Sequence, residues 1–125
     1  MTALERFERE RRNVGDGWQP LVTDVHAHLI ELLGDYELLQ IKEKFGGLRY
    51  YWNPLDDATV EAAELARQIT EEAEARSVTI CEECGIKGKN QADHGWYHTF
   101  CTRHRREHNA RRAREITELQ GKADA

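Results

Sequence analysis

Cys81, Cys84, Cys101 and His104 are the side chains of this 125-residue chain best suited to chemistry. They read Cys-x2-Cys, then sixteen residues, then Cys-x2-His, and they include every cysteine present. Zinc takes four soft or borderline donors at tetrahedral corners, and donors three positions apart can share one ion through a single tight turn. The competing explanation is three cysteines that merely fill a core. His108, four residues beyond His104, competes for the fourth corner, and His94 and His98 lie in the intervening stretch. The usual Cys-x2-His spacing favours His104 over them. Four protein donors would close the shell, which suits a structural ion, because catalytic zinc keeps a position for water. Neither a His-x-Glu partner for the cysteines nor a His-Glu-x-x-His motif occurs.

The elements that must position this cluster are legible in outline. Residues 3–12 predict a short helix capped by Thr2, with Leu4 and Phe7 as its docking stripe. Gly15-Asp16-Gly17 reads as a turn, and Trp18 as an anchor to the core. Pro20 suits a first helical turn, and Leu21, Val25, Leu29 and Leu32 recur at helical spacing up to Gly34. His26 and His28 ride on this helix two positions apart, which points them to different sides, so both are expected on its surface or flank. From Tyr36 the period becomes two. Gly46-Gly47 between the two runs predicts a hairpin turn there, pairing Phe45 with Leu48, Lys44 with Arg49 and Ile41 with Trp52. Leu39, Ile41, Phe45, Leu48, Tyr50 and Trp52 would share the apolar face, with Glu43 as the misfit on it. Asp56 or Asp57 is expected to cap a helix through about Arg76. Its inward stripe would be Val60, Ala63, Ala66, Ile69 and Ala73, with Leu65 beside it, and its outer face acidic: Glu61, Glu64, Glu71, Glu72 and Glu74. Residues 77–80 read as an extended lead-in, residues 86–100 as a hairpin or loop with Trp96, Tyr97 and Phe100 strand-like. A basic helix should then run from Cys101 to Gln120, with Ile116 and Leu119 as apolar contacts and Gly121 as its stop.

Two groups of basic side chains could meet a partner. Lys42, Lys44, Arg49 and Tyr51 share one hairpin face, and Arg105, Arg106, Arg111 and Arg112 stand on the last helix. Cations beside an aromatic suit phosphates and bases. Solvated element faces, with Glu107 pairing Arg111 four residues on, are the plainer explanation. The net charge of −5 conceals an asymmetry: residues 1–76 carry 9 basic and 16 acidic side chains, residues 77–125 carry 9 and 7. The acidic part argues against indiscriminate nucleic-acid binding by the whole molecule. No apolar run reaches membrane-spanning length, and the charged N-terminus leaves no apolar stretch for a secretory signal. Three cysteines clustered with a histidine suggest a reducing compartment and a metal rather than disulfides.

A Cys-x2-Cys-Gly turn, a hairpin and a Cys-x2-His pair opening a helix resemble the treble-clef zinc fingers over about Val78 to Leu119. That resemblance implies a zinc knuckle carrying Cys81 and Cys84, with Cys101 and His104 on the first helical turn. Some treble clefs belong to HNH nucleases, where His94 or His98 would be the base. The helix offers only His108 and Asn109 toward the second metal such chemistry needs. Gly-Asp-Gly-Trp, Gln-Ile-Lys-Glu-Lys-Phe-Gly-Gly-Leu-Arg-Tyr-Tyr at 40–51 and Cys-Glu-Glu-Cys-Gly at 81–85 resemble small proteins of phages and prophages. This implies a bacterial host cytoplasm, and binding of a host or phage protein, such as a component of a host defence system. The expected fold is therefore α+β: two main helices packed on a hairpin (1–76), then a treble-clef-like zinc module ending in a basic helix (77–125). The expected function is non-enzymatic protein binding, with nucleic-acid binding second and nuclease activity third.

Overall fold

The computed structural model describes residues 1–124; residue 125, the last of the expected C-terminal part, lies outside them. The chain folds as α1 (Ala3–Glu10), α2 (Gln19–Leu33), a hairpin of β1 (Glu37–Lys44) and β2 (Gly47–Asn53), and α3 (Val60–Ser77). A second hairpin of β3 (Lys89–Asp93) and β4 (Trp96–Phe100) follows, then α4 (Thr102–Asp124). The α+β architecture expected from the sequence is the one observed.

Thr2 caps α1 by accepting the Glu5 amide at 3.2 Å. Ala3 and Phe7, one turn apart, face the core, while Leu4 points to solvent rather than sharing that stripe. Two short 3-10 turns, Arg11–Asn13 and Asp16–Trp18, lead into α2. Trp18 is fully buried, and its Nε1 donates to the Ile80 carbonyl at 2.9 Å, so the N-terminal turn is tied to the stretch before Cys81. Pro20 lies in the first turn of α2, and Gly34 ends the helix with φ +77°. Leu21, Val22, Val25 and Leu29 meet Leu38, Ile41, Leu48, Tyr50, Ala66 and Ala73 in one core.

His26 departs from expectation. It is buried, stacked on Phe7 at 4.4 Å, and its Nδ1 lies 2.7 Å from the Tyr36 hydroxyl, itself 2.6 Å from the Tyr50 hydroxyl. The helix turns this residue inward beside Val25 and Leu29, and a polar chain running into the core satisfies it. His28 is exposed, as expected.

The first hairpin turns at Phe45-Gly46, both with positive φ (+55° and +77°), not at Gly46-Gly47. Lys44 pairs with Gly47, Glu43 with Leu48, Lys42 with Arg49 and Ile41 with Tyr50. This register differs by two residues from the expected one, and a shift of two leaves each side chain on its expected face. A bulge between Leu38 and Gln40 then turns Leu39 outward and places Leu38 in the core. Phe45, at the turn, is exposed. Glu43 fits the apolar face because its Oε2 accepts the Gly46 amide at 2.7 Å, closing the turn. Gly46 is needed where it stands: a Cβ there would fall 3.0 Å from the His98 backbone and 2.4 Å from Asn90 Nδ2.

Thr59, not Asp56 or Asp57, caps α3, accepting the Ala62 amide at 3.1 Å. Ala63, Ala66, Thr70 and Ala73 face inward, whereas Val60 and Leu65 are exposed. α3 lies against α2 and crosses β2, and α1 covers β1. Glu74 leaves the expected acidic face: its Oε2 accepts the Tyr50 amide at 2.8 Å on β2. The α3 helix runs through Ser77, whose Oγ accepts the Leu48 amide, so the extended lead-in shrinks to the residues around Ile80, which bridges to Lys87. α4 continues past Gly121 into the described end of the chain, and neither Ile116 nor Leu119 joins the core. No described helix is long and apolar enough to cross a membrane.

Burial lowers the His26 pKa below its ordinary 6.5, with Glu8 and Asp35 opposing the shift. The unfolded chain then binds the proton more readily, so this contribution to stability is complete above pH 6.5 and declines as pH falls through it. Urea titrations between pH 7.5 and 5.5 should show a smaller loss of stability on acidification for His26→Phe than for the parent chain.

Candidate metal centre

The knuckle forms because Gly85 takes φ +82° and donates to the Cys81 carbonyl at 3.0 Å, while the Cys81 amide donates to Ile86 O at 2.7 Å. Cys81 and Cys84 thereby face one side. The second pair is set by the start of α4. The His104 amide lies 3.4 Å from Cys101 Sγ, and the Arg105 amide donates to the Cys101 carbonyl. The β3–β4 hairpin, turning at His94-Gly95, brings the two pairs together.

Cys81, Cys84, Cys101 and His104 place their donor atoms all within 4.8 Å of one another. His104 Nδ1 lies 3.6 Å from Cys81 Sγ and 3.2 Å from Cys101 Sγ, and the Cys84 and Cys101 sulfurs are 3.9 Å apart. Ideal tetrahedral zinc would separate sulfur from sulfur by about 3.8 Å and sulfur from nitrogen by about 3.6 Å, given bond lengths of about 2.3 and 2.0–2.1 Å. The donor set therefore fits such an ion in both chemistry and spacing. The amide of His104 pulls the Cys101 thiol below its ordinary pKa, favouring the thiolate that binds metal. The other ring nitrogen of His104 faces Glu107 Oε2 at 3.9 Å, on the side where a carboxylate orients a ligating imidazole.

The rival histidines lie elsewhere. His98 stacks on Phe100 at 4.8 Å, with Nδ1 3.4 Å from Glu82, and groups with Glu82 and Glu43 instead. His108 packs edge-on against His98 at 4.9 Å, and burial lowers its pKa, with His98 and Arg111 adding to the shift. His94 occupies the hairpin turn.

Backbone contacts fasten the knuckle to the rest of the molecule. Gly17 N donates to Glu82 O at 2.9 Å, and a Cβ on Gly17 would fall 1.9 Å from Cys81 O, so only glycine permits the approach. Glu82 N donates to Thr99 O, and Glu82 Oε2 accepts the Thr99 amide at 2.6 Å. Thr99 Oγ1 in turn donates to Gly46 O at 2.6 Å, and Asn90 Nδ2 donates to Phe45 O. Glu82 and Asn90 escaped sequence reasoning because each bonds backbone far away in the chain. The Gly-x-Gly at 15–17 was the available signal for a close approach.

The basic side chains divide. Arg105 is held by Asp93, by the carbonyls of Lys89 and His98, and over the Phe100 ring at 5.6 Å, so it braces the hairpin against α4 rather than facing a partner. Arg106 and Arg111 are exposed, and Arg112 pairs with Glu115 at 3.2 Å. Glu107 pairs with Arg103 rather than Arg111. On the first hairpin, the Lys42 ammonium lies 5.9 Å from the Tyr51 ring and Lys44 5.7 Å from the Phe45 ring, while Arg49 Nη1 donates to Leu48 O. Compared with protein-family models, curated proteins and solved structures, the chain matches none.

Cobalt(II) added to the reduced, metal-free protein should bind one per chain, with thiolate charge-transfer bands and tetrahedral d–d absorption. Cys84→Ser should weaken binding by at least about tenfold, the scale at which even outer partners of a metal ligand act. His98→Ala and His108→Ala should leave the spectrum unchanged; a change in either would reassign the fourth donor.

Proposed function

We propose that this is a small zinc-stabilised, non-enzymatic protein that binds nucleic acid through α4, with the metal fixing where that helix leaves the body. The observation that carries this reading is the composition of α4. It holds seven Lys or Arg against four Asp or Glu, Arg106, Arg111 and Arg114 are exposed, and beyond Ile116 and Leu119 it has no large apolar side chain to form a stripe. A protein-docking helix needs such a stripe, whereas a polar basic helix gains its free energy from phosphate contacts and released counterions. Zinc in the Cys3His cluster would supply on the order of 10 kcal/mol of folding free energy to an otherwise polar segment.

The protein-partner reading rests on a different helix, α3. Glu61, Glu64, Glu71 and Glu72 are exposed along α3 and would suit a basic protein surface. The phage-like 40–51 segment supports a host or phage component as that partner, within a bacterial cytoplasm, and inhibition of a host defence system as its consequence.

Anisotropy titrations of a labelled duplex across a salt series discriminate between the two. Nucleic-acid binding predicts a linear fall of log K with log salt, and each phosphate-contacting arginine removed should lower the slope by about 1. Arg106→Ala/Arg111→Ala should therefore flatten it by about 2. Absence of duplex binding at low salt would sink the proposal and leave the α3 face as the working surface.

A further inference from the structure

We infer that the tip of the first hairpin is a stacking site for an unpaired nucleobase, so that the protein engages single-stranded nucleic acid there, separately from α4. This rests on the nucleic-acid reading above and specifies a second contact within it.

Two local features of the hairpin work against its own stability. Phe45 adopts φ +55° at the first turn position, where glycine or asparagine fits and a bulky residue is strained. The strain is not offset by burial, because the ring is 66% exposed. Lys42 and Arg49 are direct cross-strand partners on the outer face, a like-charge pairing that is unfavourable in a sheet. Neither they nor Lys44 has an ion-pair partner among the described residues. The nearest acidic side chain on the hairpin, Glu43, is turned inward to the Gly46 amide.

Both features make sense together if the occupant is a polyanion carrying aromatic faces. The Phe45 ring is set edge-on to Tyr97 from the second hairpin, with centroids 6.4 Å apart, and both rings are exposed. Lys44 stands over Phe45, and Lys42 stands over the half-exposed Tyr51. A base stacked on Phe45 would gain a π-face, with Lys44, Lys42 and Arg49 set for the phosphates flanking it. A paired base in a duplex shows no free face to such a ring, so the site selects single strands. The position of Phe45 is held from below: Gly46 is clamped by Thr99 and Asn90 takes the Phe45 carbonyl, which links the platform to the zinc module.

Phe45→Asn gives the test, because asparagine accepts positive φ and removes the ring. The variant should unfold at a higher temperature than the parent. Its affinity for labelled oligo(dT) should fall by about tenfold or more, the scale of one lost base stack. Duplex affinity, carried by α4, should stay unchanged. Lys42→Gln should lower the salt slope for oligo(dT) alone. Undiminished oligo(dT) binding by Phe45→Asn overturns this inference while leaving the α4 reading intact. A lower unfolding temperature also overturns it, since the ring would then be structural. Loss of both duplex and oligo(dT) binding in the parent chain removes both readings.

Discussion

Three sulfurs and one imidazole nitrogen converge within 4.8 Å of one another, and the C-terminal third of the molecule is arranged around that convergence. Sulfurs this close are poorly compatible as free thiolates, and a divalent cation reconciles them. The knuckle fixes two donors, the first turn of α4 fixes the others, and the β3–β4 hairpin sets the distance between them. What lies beyond depends on this geometry, because α4 gains almost no apolar burial of its own: Cys101 and Phe100 are its innermost neighbours, and Leu119 stands in solvent.

The metal module is nevertheless not an appendage. Gly17 presses on the knuckle backbone, Trp18 reaches the Ile80 carbonyl, and Thr99 holds the tip of the first hairpin through Gly46. Three long-range contacts thus join the parts read from the sequence as 1–76 and 77–125. Each ends on a backbone carbonyl far away in the chain, so apart from Trp18 the traces in the sequence are small residues, Gly17 and Gly46.

The legible features were those with a local cause. Helical periodicity placed α2 and α3, and ligand spacing placed the four donors. Alternation placed Lys42, Lys44, Arg49 and Tyr51 on one hairpin face, and that survived a two-residue error in register because strand faces repeat every two residues. Features with tertiary causes were hidden. The adjacent glycines suggested a turn at 46–47, yet Gly46 is required beneath β4, which leaves Phe45 to take the other positive φ. A bulge reversed Leu39, and a hydroxyl partner across the core turned His26 from a flank residue into a buried one. Arg105 looked like its exposed neighbours until Asp93, twelve residues before it at the end of β3, was placed against it.

The charge distribution follows the same division. The acidic exterior belongs to α3 and the basic exterior to α4, and the first hairpin holds Lys42 and Lys44, without ion-pair partners among the described residues, next to exposed rings. Such exposed charges contribute little to folding.

Amide hydrogen exchange with and without a chelator tests most directly whether the metal organises the C-terminal third. Zinc removal should strip protection from the amides of Glu82, Thr99 and the first turns of α4, and from Gly17, which bonds to Glu82, while α2 and α3 stay protected. Unchanged protection across residues 81–104 in fully metal-free protein would contradict it.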